Sequence, residues 1–312
     1  MDKTIKSVIA VKPRETVPIF LRSQSVGDKI YTFVCRAFIW FVVVVTLYPF
    51  IYVLSCSISE PISVMQNKVI LFPVGFSVDV YKKILAYPPF TQGYLNTIFY
   101  AVFGTMINMA FTTLMAYPLS RSNLFARKYF MFIISITLLF SGGIIPTYLV
   151  VNSLGLIDTR WAMLLPGAIS TWNLILMRTF FQSIPDEMVE AAKIDGATEM
   201  QTFWHIMLPL SQAALATITL YYAVGHWNAY FSALIYLNKP SLQPIQVFLR
   251  NIIAAAQTAD LIDYTSVSAN DLLMGEAIKY ATIVVVATPI IVAYPFIQKY
   301  FVQGVMIGSL KG

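Results

Sequence analysis

Six windows of this chain, residues 37–57, 94–119, 129–150, 161–181, 211–234 and 278–298, are long and apolar enough to cross a hydrocarbon layer of about 30 Å as helices. No other feature restricts the fold as much. Six greasy helices cannot hide one another in a water-soluble core of ordinary size. The rest of the composition agrees: 58% of the residues are hydrophobic and 12% are charged, against roughly 25% charged in a soluble domain. The expected fold is therefore an all-α integral membrane protein with lipid as its solvent. Breakers fall inside several windows. Gly142, Gly143 and Pro146 interrupt the third, and Pro289 and Pro295 the sixth. Such residues are tolerated where neighbouring helices re-satisfy the freed backbone groups.

Basic residues set the orientation. Lys3, Lys6, Lys12, Arg14, Arg22, Lys29 and Arg36 crowd the segment before the first window. Arg121, Arg127 and Lys128 follow the second window, and Lys299 and Lys311 follow the sixth. With the N-terminus inside, all of these fall in the cytoplasm, so both termini are expected there. The net charge of +6 then reports orientation and not nucleic-acid binding. The expected layout is a basic cytoplasmic segment (1–36), a six-helix membrane domain (37–300) and a cytoplasmic tail (301–312). Residues 1–29 are too polar to be a cleavable signal peptide. The 235–277 connection falls outside. There Lys239 and Arg250 face Asp260, Asp263, Asp271 and Glu276, and the length of the loop makes it the natural face for an extracytoplasmic partner.

Several function classes are disfavoured by what the windows lack. None holds an Asp or Glu in its interior, whereas ion-coupled transporters keep a titratable or chelating group at membrane depth. The chain has no G-x-x-x-x-G-K-[ST] phosphate loop, so any ATP is bound elsewhere. No nucleophile–base pair or metal-ligand cluster suggests an enzyme. Cys35 and Cys56 lie on one expected helix, about 31 Å apart at 1.5 Å per residue, beyond disulfide reach; they read as apolar fillers.

The segment 182–209 between the fourth and fifth windows reads as two short cytoplasmic helices joined at a corner. Ser183, Pro185 and Asp186 give a helix start. That helix carries Glu190, Ala191 and Ala192 to Asp195, and Gly196 sits where a left-handed cap is expected. Thr198 with Gln201 repeats a capping-box start, and Pro209 is expected to close the second helix. Such a pair could simply lie solvated on the membrane face. Small alanines beside a glutamate, followed by a glycine corner, fit instead a surface shaped for close docking.

Glu190-Ala191-Ala192, three residues, Gly196, nine residues, then Ile206-Met207-Leu208-Pro209 matches the EAA-x3-G-x9-I-x-L-P signature of ABC importer permeases without departure. His205 stands where related chains often carry Arg or Lys and reads as a surface histidine. The stretches 142–148, 161–185 and 222–228 resemble the carbohydrate-uptake branch, and within it the oligosaccharide permeases, alginate and aldouronate importers included. This resemblance implies that the corner is a coupling helix seated on an ATPase through Glu190, Ala191, Ala192, Asp195, Gly196, Ile206, Leu208 and Pro209, with Glu190 and Gly196 the most exposed to it. The tail, through Gly304, Met306 and Gly308, resembles that of the second permease of maltose-type systems, which reaches between the ATPases. The implied assembly sits in a bacterial cytoplasmic membrane. It pairs this chain with a second homologous permease, two ATPases that hold ATP and Mg, and an extracytoplasmic solute-binding protein. This chain itself binds no cofactor.

Candidate path residues follow from helical spacing. Thr219, Tyr222, His226 and Tyr230 recur at steps of three and four in the fifth window, as do Ser170 and Asn173 in the fourth. With Trp227 and Asn228 they could touch a passing sugar, or they could only join helices through hydrogen bonds. Arg178, near the cytoplasmic end of the fourth window, snorkels or binds an anion. The alternatives are a permease for a peptide or amino acid and, from another class, an ion-coupled transporter.

Overall fold

The computed structural model describes residues 26–259 and 269–309, with side chains over 26–255 and 275–295. The chain divides into two units, residues 1–51 and 52–312. The described part of the first is the leading stretch of helix α1 (Val26–Ser57). Phe33, Trp40, Phe41 and Phe50 point outward along it. Thr32 and Thr46 satisfy their hydroxyls within the helix, donating to the carbonyls of Asp28 and Val42 at 2.7 and 2.8 Å. A helix that is apolar on its surface and satisfies its own polar atoms is suited to lipid.

The second unit begins with a small structured connection. Helices α2 (Pro61–Met65) and α3 (Asp79–Ala86) flank a turn held by a single antiparallel bridge, Ser59 to Phe76. Then come α4 (Pro88–Ser120), α5 (Arg127–Leu139), α6 (Ile144–Ser153), α7 (Trp161–Leu164) and α8 (Thr171–Ser183). The corner holds α9 (Asp186–Ile194), α10 (Glu199–Thr202), a π turn at Phe203–Met207 and α11 (Leu208–Leu210). Last are α12 (Gln212–Trp227), α13 (Tyr230–Tyr236), α14 (Ile245–Ala259) and α15 (Ala269–Ser309).

By length and composition, three described helices are able to cross a membrane: α1, α4 and the Gly275–Pro295 part of α15. The total reaches five if each bent pair is one span. The six windows therefore do not map onto six straight rods. The third is bent by 113° between α5 and α6, at the Gly142–Gly143 breaker. The fourth is split into α7 and α8 by a non-helical stretch, 165–170, and the fifth pauses at Asn228 and Ala229. In contrast, α15 runs unbroken through Pro289 and Pro295. The expected outer loop, 235–277, is largely helical where it is described, because α14 packs Ile245 against Val80, Ile84, Phe90, Ala277 and Ala281. Asp158 staples this side to the connection before α7: its carboxylate accepts from the backbone N–H groups of Lys239 and Asn238, which hold it below the usual carboxylate range.

Helix α4 shows how such a chain organises its core. Its outward side chains are apolar, among them Leu95, Ile98, Val102, Phe103, Met106 and Phe111. Between Gly93 and Thr113 its buried stripe is, apart from Tyr100, small and polar, with Asn96, Thr97, Gly104, Thr105, Asn108 and Thr112. This reverses the pattern of a water-soluble helix, because hydrocarbon outside gives apolar groups no reason to turn inward. The end of the stripe nearest α14 grips backbone. Asn96 Nδ2 donates to the Ser241 carbonyl at 2.8 Å, the Tyr100 hydroxyl to Leu242 at 2.8 Å, and Thr97 Oγ1 accepts from Ile245 N at 2.8 Å.

Candidate functional site

The corner at the other end of the bundle is built from local rules. Asp186 and Glu187 lie in the first turn of α9 and Lys193 in its last, each charge complementing the helix dipole. Pro185, and not Ser183, is the N-cap residue, and the Ser183 hydroxyl folds back onto Phe180 O at 2.7 Å. The helix ends in a full Schellman motif. Ala197 N donates to Ala192 O at 2.9 Å and Gly196 N to Lys193 O at 3.0 Å, with Gly196 at φ +80°. An added Cβ on Gly196 would meet nothing within 4 Å, so the need for glycine there is conformational and not a matter of space. The capping box at Thr198 is formed in both directions, with Gln201 N donating to Thr198 Oγ1 at 3.3 Å and Thr198 N to Gln201 Oε1 at 2.8 Å. The helical run closes at Leu210, one residue past Pro209, and the chain turns by 83° at Ser211.

Two faces of α9 have opposite fates. Val189 is buried among Phe181, Phe203, Met207 and Leu119, and Ala192, three residues on, is buried on the same side. Burying a valine this way stabilises by about 1.5–3 kcal/mol, enough to seat a nine-residue helix firmly. The other face carries Glu187, Glu190, Ala191 and Ile194, all exposed, with Ile194 86% accessible. Asp195 and Gly196 are exposed at its tip; on the following segment Ile206 and Leu208 are half-buried and Pro209 is exposed. The EAA triplet is thus split by helical geometry into two outward residues and one anchor. Polar ties fix the corner to α4. Glu199 accepts from Lys193 Nζ at 2.8 Å and from the Tyr117 hydroxyl at 2.6 Å, and both hold its carboxyl below the usual range. Arg121, close over the Tyr117 ring, lies 3.5 Å from Asp186. His205 stands exposed, its Nδ1 3.0 Å from the Gln201 carbonyl.

Of the path candidates, Tyr222 and His226 of α12 meet α4 and the 165–170 backbone in a buried polar seam, whereas Thr219 and Tyr230 are exposed. The Tyr222 hydroxyl accepts from Ser170 N at 3.0 Å and pairs with Thr112 Oγ1 at 2.7 Å. Asn108 Nδ2 donates to the Gly167 carbonyl at 2.6 Å, while its Oδ1 pairs with His226 Nε2. A Cβ on Gly104 would run into the His226 imidazole, so only glycine lets α4 and α12 approach this closely. Trp227 Nε1 donates to the Val286 carbonyl of α15 at 3.1 Å. Asn173, Tyr222 and Trp227 are buried, His226 is half-buried and Asn228 is exposed. Tyr222 and Asn108 thus satisfy the backbone groups freed by the break between α7 and α8. The partners Gly104, Asn108 and Thr112 escaped the sequence reading, although their four-residue spacing along an apolar helix is the signal that marks a close helix contact. The tail residues Gly304, Met306 and Gly308 lie in the final turns of α15; residues 310–312 fall outside the described residues.

Residues 17–307 match the family described as binding-protein-dependent transport system inner membrane component. The chain belongs to that family. It is therefore a bacterial inner-membrane permease, a component of a transport system and not itself an enzyme. It is 42% identical over 287 residues to the polygalacturonan/rhamnogalacturonan transport system permease protein YtcP of Bacillus subtilis, covering 91% of this chain and 99% of that protein. It is also 42% identical to protein LplC of the same organism over 272 residues, 86% of this chain and 90% of the other. Among solved structures it resembles a chain of a bacterial ABC transporter involved in the import of the acidic polysaccharide alginate. That likeness has a TM-score of 0.83 and 38% identity, over 90% of this chain and 99% of that one.

Proposed function

We propose that this permease forms, with a second homologous permease, the membrane path for an oligosaccharide. Two ATPase subunits holding ATP and Mg drive import, and a solute-binding protein delivers the sugar. The observation that carries the reading is the outward face of α9: Glu190, Ala191, Ile194 and Gly196 stand exposed on a corner whose opposite side is anchored by Val189 and Ala192. An anchored helix whose outer face mixes carboxylates with small and apolar side chains fits a cleft on another protein. The relatives named for polygalacturonan/rhamnogalacturonan and alginate transport support a sugar as cargo over a peptide or amino acid. Both chain ends and the corner then lie in the cytoplasm. The last turns of α15, with Gly304, Met306 and Gly308, approach the ATPase pair.

Gly196→Val tests the corner. A β-branched residue at φ +80° is strained by roughly 1–2 kcal/mol, too little to unfold the bundle and enough to tilt α10 away from its dock. The purified assembly in lipid vesicles, loaded with binding protein and either uronate or neutral oligosaccharides, is expected to insert normally and lose most uptake and sugar-stimulated ATP hydrolysis. Wild-type levels of ATPase binding, hydrolysis and uptake in this variant would reject the corner as the coupling element.

A further inference from the structure

A pocket of about 470 Å³ opens where the α4–α5 connection meets the end of α8, walled by Ser122, Leu124, Arg127, Lys128, Met131 and Arg178. Its three cations have no carboxylate partner among the described residues; the ion pairs of this region use Arg121 and Lys193 instead. The two guanidiniums are held on neutral oxygens. Arg178 Nε donates to the Leu119 carbonyl at 3.0 Å and Arg127 Nη1 to the Arg121 carbonyl at 3.2 Å. The Gln182 amide oxygen, suitably turned, accepts from Arg127 Nη2 at 2.7 Å and Arg178 Nη2 at 3.0 Å. Like charges gathered around one amide repel each other, and an anion placed between them relieves that repulsion.

We infer that this pocket binds the phosphate of an anionic phospholipid in the cytoplasmic leaflet. Three features favour a lipid over a free ion or a protein. The pocket lies at the same end of the bundle as the α9 corner, since Arg121, in the same connection, reaches Asp186. Immediately beyond it α5 exposes Phe130, Phe132 and Ile133, a surface on which acyl chains can lie while the headgroup stays in the pocket. Tyr129, which also lines the pocket, is 75% accessible and has the amphipathic ring favoured at a membrane–water boundary. Basic pockets between helices on the cytoplasmic side are where anionic headgroups bind. The leaflet rests on the cytoplasmic placement of the corner proposed above; the binding of a headgroup does not.

The test uses the purified assembly in neutral detergent, where leaflets no longer exist. Phosphatidylglycerol, phosphatidylcholine and inorganic phosphate are added in parallel, and retained lipid is counted by native mass spectrometry alongside a melting curve. Wild type is expected to keep phosphatidylglycerol in preference to phosphatidylcholine and to melt higher with it. Lys128→Gln and Arg127→Gln are expected to weaken that binding by about five-fold each, as about 1 kcal/mol per basic residue implies. Lys128 is exposed, so its variant does not disturb packing and keeps the test valid if Arg127→Gln proves unstable. Equal retention of both lipids, unchanged affinity in Lys128→Gln, or the same stabilisation by inorganic phosphate alone would overturn the inference. So would a variant that loses ATPase association with lipid retention intact. Sidedness is read separately, by labelling Ser122→Cys from either side of oriented vesicles in a background lacking Cys35 and Cys56. Labelling from the outer side would move the pocket to the other leaflet and sink the coupling reading, while leaving the detergent result standing.

Discussion

The α4–α12 seam and the α9 corner both hold polar residues at helical spacing, yet they use them in opposite ways. In the seam, Tyr222, His226, Asn108 and Thr112 find one another and the backbone at 165–170. At the corner, Glu190, Ala191 and Gly196 stand exposed on the side away from the bundle. A polar group buried near hydrocarbon must be paired inside the chain. A polar group at the aqueous boundary is free to serve a partner. The contrast implies that seam variants lower stability and corner variants lower coupling.

The harshest test of that division is Gly104→Val. Its side chain would collide with His226 and push α4 from α12, costing about 1–3 kcal/mol from overpacking alone. The expected result is a large drop in melting temperature and in the yield of assembled transporter. Normal assembly would mean that the seam is not the tight contact described here.

Tyr222→Phe is gentler and more discriminating. It keeps the ring and removes the hydroxyl that joins Thr112 to the Ser170 amide, at about 1 kcal/mol for a hydrogen bond in this setting. A lower melting temperature with unchanged preference among sugars of different length is expected. A changed preference at constant stability would return Tyr222 to the sugar path and blur the two regions.

Glu190→Ala has the smallest effect on the fold, within about 0.5 kcal/mol, as for an exposed side chain with no special role. It is expected to leave melting unchanged and lower sugar-stimulated ATP hydrolysis a few-fold, less than Gly196→Val, since it removes one contact and keeps the corner. A shift in melting without a change in coupling would put Glu190 on the structural side of the comparison.

Much of this was written locally in the chain. The Thr198–Gln201 capping box and the Gly196 cap involve residues within a few positions of one another, so their spacing alone dictates them. The lipid-facing composition and the bend at Gly142–Gly143 were legible for the same reason. The stop after Pro209 was legible to within one residue, since the run ends at Leu210, whereas the π turn at Phe203–Met207 ahead of it was not.

The sequence by itself determined that this chain lives in lipid, where its corner lies and which family it joins, since hydropathy, caps and a fixed-spacing motif are properties of short stretches. Only the tertiary structure decided that Tyr222 and His226 belong to a seam, that Ala192 anchors while Ala191 faces out, and that Arg127, Lys128 and Arg178 share one pocket. Those facts depend on pairs such as Asn108 and His226, 118 positions apart. No local pattern announces such a pairing, because it exists only once two helices have packed closely enough for their polar groups to meet.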